Sequence, residues 1–449
     1  MGLLLKQFWS NLQSSFWFVP SLIVLSSVVL AAGLIAIDYI TNDLWLSQWH
    51  LLFGVGAEGA RGMMATIAGA MMSIVGVTFS IVLVVLVLAS SQYSPRILRN
   101  FMRSRITQIV LGTFSGIFTY CLIVLCIIRG ASGSVEEEFV PALAVVFGFV
   151  LALGGVAALV YFIHHIASSI LASNIICSIA DETIATIDYL FPEEIGQDSE
   201  EDEYDKVVDS LSKLNWYAVP TKDSGYIQKV DKDALLSFAR DRKTIVWMYR
   251  GIGDFVVKNT VLVHISLEEP LDDNIISHLQ GAFIIGHRRT VAQDVAFGIR
   301  QIVDIALKAL SPGIMDVTTA VVCVDYLTNI LSRLVTREIP SYLRYDDGEL
   351  RVIAKGPNFE SLLHESFCQI RDIAKGDIVI ILRLLIAFQT IASLTNSPHR
   401  LCSLNEQVNY TVEEAERTVE SSHNRDNIKA QLISVRKELD LSVKKRKLH

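Results

Sequence analysis

The chain has 449 residues, of which 51% are hydrophobic and 19% charged, with a mean hydropathy of +0.42. Soluble domains carry about 25% charge, so this balance excludes a wholly soluble chain and asks for membrane segments. A net charge of −8 excludes nucleic acid as the main partner, because phosphate binding needs a basic footprint. Cys121, Cys126, Cys177, Cys323, Cys368 and Cys402 form no Cys-x-x-Cys pair and stand beside no histidine cluster. They read as reduced, buried thiols, and neither a metal site nor a disulfide framework is expected.

Four apolar runs are long enough to cross a bilayer, which needs about 20 residues. They lie at 20–40, 62–89, 106–128 and 139–163. The first is too long for a signal-peptide core and has no small-residue cleavage pattern after it. Arg96, Arg99, Arg103 and Arg105 fill the loop between the second and third runs, whereas Glu136, Glu137 and Glu138 fill the next. Positive charge marks the cytoplasmic side, so both termini are expected there. A fifth apolar stretch, 378–394, holds Arg383 near its middle. A central arginine costs about 2.5–3.5 kcal/mol on insertion, so this stretch reads as a buried helix of a soluble domain.

Along the second span, Gly62, Thr66, Gly69, Ser73, Gly76 and Ser80 recur at spacings of four and three. Small residues in lipid let helix backbones approach. Hydroxyls repeated around an oligomer axis can instead line a narrow conduction path. The spacing admits both a packing face and a pore lining. Gly112 and Gly116 give the third span a GxxxG packing face. Beyond the second span, Ser91, Gln92, Ser94, Pro95, Arg96, Arg99 and Arg103 form the juncture with the cytoplasm. Pro95 stops the helix, and the arginines share one helical face that suits anionic lipid headgroups.

The expected organisation is a transmembrane domain over 1–165, then a helical extension and acidic linker over 166–205. A small mixed β-module follows over 206–270, a helical cytoplasmic domain over 271–400, and a charged helix-prone tail over 401–449. The fold class is thus membrane α-helical plus an α+β cytoplasmic domain with a β-barrel-like module. GYIQKV, TIVWMYR and the two halves of GDFVVKNTVLVHI read as strands, and Asp231 caps a short helix. The module resembles half a barrel-sandwich carrier, but no lysine sits at a hairpin tip, so no attached cofactor is expected. Helices are expected over 272–286, 291–310, 316–335, 360–374 and 377–393.

Polar residues gather at His287, Arg288, Arg289, Thr290, Gln293 and Asp294, followed by Asp304 and Asp316. Carboxylates on apolar helices need partners, and Arg288, Arg289 and Arg300 are at hand. The cluster reads as a structural ion network or as a site for a small anionic ligand or an ion. No nucleophile elbow, metal spacing or phosphate-cradling loop points to catalysis.

The strings SSQYSPR from Ser90, GHRRTVAQD from Gly286 and GDFVVKNTVL from Gly253 resemble a widespread bacterial family of integral membrane proteins sharing a domain of unknown function. The resemblance runs from the first span to about Leu394. It implies a bacterial cytoplasmic membrane protein and supplies no activity. Relatives usually read Ser-Pro-Gly-Ile-Asn-Asp-Pro where this chain has Ser311 to Val317, so Met315 and Val317 depart from the pattern. The architecture suggests a homo-oligomeric ion channel with a regulatory cytoplasmic domain, in contact with membrane lipid. A membrane-anchored ligand sensor or scaffold is the second expectation, and an envelope-related membrane enzyme the third.

Overall fold

A computed structural model describes residues 17–41, 56–92, 105–129, 139–169, 171–191, 211, 214–267, 271–339 and 342–446. The chain divides into two compact units, 1–171 and 172–449.

The first unit holds α1 (Phe18–Thr41), α2 (Ala57–Gln92), α3 (Arg105–Ile127) and α4 (Ala142–Ser169), each long and apolar enough to cross a membrane. Helices satisfy their own backbone polar groups, which lipid cannot do. The hub is α3, with 44% of its span buried against 11–22% for the others. Phe114, Ile117, Tyr120, Cys121 and Val124 of α3 close on Met64 and Met71 of α2 and Phe162 of α4. On α3, a Cβ at Gly112 would lie 2.9 Å from Pro20 Cα, and one at Gly116 would lie 2.5 Å from Ser27 Oγ. The GxxxG pair is thus where α1 packs.

Polar groups secure the helix ends. The Asp38 carboxylate accepts from Leu143 N at 3.2 Å and Ala144 N at 3.1 Å, at the start of α4. Arg61 donates to Ile128 O at 2.7 Å, just past the end of α3. An acid at a helix N-terminus and a base at a C-terminus both oppose the helix dipole favourably. The Tyr120 hydroxyl donates to Ala144 O at 2.7 Å.

The second unit opens with α5 (Ala172–Leu190) and then alternates short strands and helices. These are β1 (Trp216–Pro220), β2 (Gly225–Val230), α6 (Lys232–Asp241), β3 (Val246–Met248), β4 (Phe255–Val256), β5 (Val261–Ser266), α7 (Asp273–Gly281) and β6 (Phe283–Gly286). As expected, Asp231 caps α6, accepting from Ala234 N at 3.0 Å. The helical part is α8 (Val295–Ala309), α9 (Val317–Leu334), α10 (Phe359–Ala374), α11 (Ile378–Ser393), α12 (Pro398–Thr418) and α13 (Ser422–Arg446), interrupted by the hairpin β7 (Leu343–Asp346) and β8 (Glu349–Ile353).

The barrel-like module is corrected: among the described residues the strands form two open sheets and no closed barrel. One has the order β1-β5-β3-β8-β7 and the other β4-β2-β6. The reason is non-local pairing. β8 runs parallel to β3, with Val246 opposite Val352, and β6 pairs with β2, with Val230 opposite Phe283. Both partners lie beyond residue 270. The helix expected over 272–286 ends at Gly281, and its last residues form β6. Val219, Ile227, Val263, Ile265, Leu279, Phe283 and Val352 share one core across both sheets.

The helix α11 lies among α9, α10, α12 and α13. Its Ile380, Ile381, Leu384, Leu385, Phe388 and Ile391 are buried, and Arg383 forms a two-pronged pair with Asp325 of α9. The apolar stretch at 378–394 therefore packs within the second unit.

Candidate functional site

All six seam residues of α2 lie on its exposed face. Nothing comes within 4 Å of a Cβ placed at Gly62, Gly69 or Gly76. The opposite face, with Ala60, Met64, Ala68 and Met71, fills the bundle core. Thr66 donates to Gly62 O at 2.7 Å and Ser73 to Gly69 O at 3.0 Å, so each hydroxyl proton is satisfied within its own helix. The seam is thus no packing face toward the described helices of its own chain. Of the juncture, Ser91 and Gln92 end α2, while Ser94, Pro95, Arg96, Arg99 and Arg103 lie outside the described residues.

The polar cluster is built on the loop from β6 to α8. Arg289 grips Asp294 through Nε–Oδ2 at 2.8 Å and Nη2–Oδ1 at 2.9 Å. Asp294 is buried and caps α8, accepting from Phe297 N at 2.9 Å. The Arg289 guanidinium lies 5.2 Å over the Phe297 ring. Gly253, at φ +87°, faces this pair, and a Cβ there would meet Asp294 Oδ2 at 2.6 Å. Gln293 accepts from Val230 N of β2 at 3.1 Å, and Thr186 of α5 donates to Val291 O at 3.2 Å. The motif therefore joins sheet, loop and helices.

Arg300 on α8 continues the network. It pairs with Asp304 at 2.8 Å and donates to Gln369 on α10 at 2.8 Å. Glu365, one turn before Gln369, also faces Arg289 and Arg300. Burial raises its carboxyl above the ordinary range, although both arginines oppose this. The sequence reading missed Glu365 and Gln369. Their signal was a polar pair four residues apart on a helix whose Leu362, Leu363, Phe367 and Ile370 are buried. His287 and Arg288 are exposed, and the Arg288 carbonyl accepts from Gln228 at 2.5 Å. Thr290 begins the short 3-10 turn Val291–Gln293 without a side-chain cap bond. Asp316 stands apart and caps α9 through Thr319 N at 3.0 Å. Among the described residues, no group of His, Cys, Asp and Glu is arranged to hold a metal ion.

A model of a family described as predicted membrane protein (DUF2254) matches residues 13–390. The chain belongs to the DUF2254 family. Uncharacterized proteins of Mycobacterium tuberculosis (strains CDC 1551 and H37Rv) and Mycobacterium bovis are 30% identical to it over 428 residues, spanning 92% of this chain and 78% of each relative. No solved structure matches it.

Membership of the DUF2254 family makes the departure at 315–317 readable. Met315 has φ +50°, Asp316 is the N-cap of α9, and Val317 is its first helical residue. Asparagine tolerates the left-handed region, aspartate suits the cap and proline suits the first helical position. The Asn-Asp-Pro that the resemblance implies there thus reads as a helix-start signal, with Asp316 bound to Thr319.

Proposed function

We propose that the protein is a homo-oligomeric ion channel of the bacterial cytoplasmic membrane, whose subunits meet along the α2 seam. The second unit then lies in the cytoplasm, with both termini, and regulates the membrane unit. The outward orientation of the seam carries this reading. Within one chain, the inner face of α2 is plugged by Met64 and Met71, so conduction would run between copies. Small residues facing lipid gain little, whereas against another copy they permit close approach. Hydroxyl oxygens whose protons are turned to their own helix keep lone pairs free to solvate a cation.

The test has two steps. Native mass spectrometry of detergent-purified protein is expected to give a closed ring of three or more subunits. Reconstituted protein is then expected to conduct, and Ser73→Ala with Ser80→Ala, which remove the hydroxyls but keep the small size, to lower the current without dissolving the ring. A monomer, or a ring that never conducts, removes the channel.

The charge network favours a second reading, a membrane-anchored sensor of a small anionic ligand. Arg289 and Arg300 converge near one half-buried Glu365, on elements from both parts of the second unit. Phosphate or sulfate raising the melting temperature of wild-type protein, but not of Arg300→Gln, supports it. Equal shifts in both proteins remove it.

A further inference from the structure

A cleft between α10 and α12 is lined by polar side chains that the network above does not use. It offers about 540 Å³ and stands open to solvent, a volume within the range of small-molecule sites. Glu360, His364 and Arg371 enter from α10, and Glu406, Gln407 and Tyr410 from α12. Arg371 is only 9% exposed. Its Nη1 donates to Gln407 Oε1 at 3.2 Å, its Nη2 to Cys368 Sγ at 3.3 Å and its Nε to Asp372 Oδ1 at 3.2 Å. A guanidinium has five N–H donors, so these bonds leave one hydrogen on each of Nη1 and Nη2. The Tyr410 ring, 5.5 Å from the guanidinium carbon, helps hold the fork in place. Glu360 accepts from Ser403 Oγ at 3.2 Å and faces His399 Nδ1 at 3.4 Å. Glu406 is exposed and makes no ion pair among the described residues.

We propose that this cleft binds a basic amino acid. Its carboxylate meets the free donors of Arg371, where charge-assisted pairing is strongest. Its two cationic groups meet Glu360 and Glu406, and its aliphatic stem lies against Tyr410. The balance of charge selects this class. Two glutamates repel a simple anion, and a diamine leaves the buried arginine donors without a partner. The proposal concerns the second unit alone and holds whether or not the membrane unit conducts.

Thermal unfolding of the full-length protein in detergent tests it with three probes: L-lysine, cadaverine, which lacks the carboxylate, and 6-aminohexanoate, which lacks the α-ammonium. L-lysine is expected to raise the melting temperature saturably at millimolar concentration. Both analogues are expected to bind about tenfold more weakly or worse, the size of one lost ion-pair contact. Glu406→Gln, at an exposed position, is expected to keep the ligand-free melting temperature and weaken lysine by a similar factor. Three outcomes overturn the proposal: no shift with L-lysine, cadaverine equal to L-lysine, or undiminished lysine binding by Glu406→Gln.

Discussion

Met315 shows how a departure from a pattern is read once its backbone is known. A methionine at φ +50° is strained, because its Cβ crowds the adjoining carbonyl. Met315→Asn relieves that strain, and Val317→Pro stiffens the unfolded chain at a compatible position. Together they are expected to raise stability by about 1–2 kcal/mol, read as a higher melting temperature with unchanged ligand binding. A lower melting temperature would show that the turn is not set by helix-start chemistry. Glu365 gives a prediction of sign. Its folded-state pKa is raised by burial, so the native state holds its proton over a pH window in which the unfolded chain has lost it. Stability then falls as pH rises through that window and stays reduced above it. Glu365→Gln is expected to stabilise the protein at neutral pH and leave stability near pH 4 little changed. Melting curves across pH check this, and a loss of stability at neutral pH would mean the carboxylate's arginine contacts outweigh its burial.

Elements were legible where periodicity is long. The four spans, the helices from α8 to α11 and the cap at Asp231 follow from apolar spacing and capping chemistry alone. β1, β6, β7 and β8 escaped because four or five residues carry too little pattern to separate strand from helix end, and β6 and β8 also pair with strands distant in the sequence. The closed barrel failed for the same reason. Of the polar cluster, the Arg289–Asp294 pair could be anticipated from charge on an apolar helix. Glu365 could not, because only tertiary packing brings α10 against α8. Close helix crossings supply the element-scale test. A Cβ at Gly298 of α8 would overlap Thr183 of α5. Gly298→Ala is expected to cost about 1–3 kcal/mol, and adding Thr183→Ala to recover most of it. Absence of that recovery in a double-mutant cycle would place the strain elsewhere.

On the scale of the molecule, the division at residue 171 separates two cores of different solvent logic. The second unit has its own apolar core under both sheets and around α11. Residues 172–449 produced without the spans are therefore expected to stay in solution and unfold in a single cooperative transition. Aggregation on expression would show that the second unit needs the first. The membrane unit has a different dependence, set by Asp38. Its carboxylate, near the end of α1, is satisfied by amides 105 and 106 residues further along the chain. At synthesis rates of about 5–20 residues per second, those amides emerge roughly 5–20 s after Asp38 itself. During that interval the contact between the first and fourth spans cannot form. This tie between α1 and α4 closes only once the fourth span has been made, so a single helix cap records the order of biosynthesis.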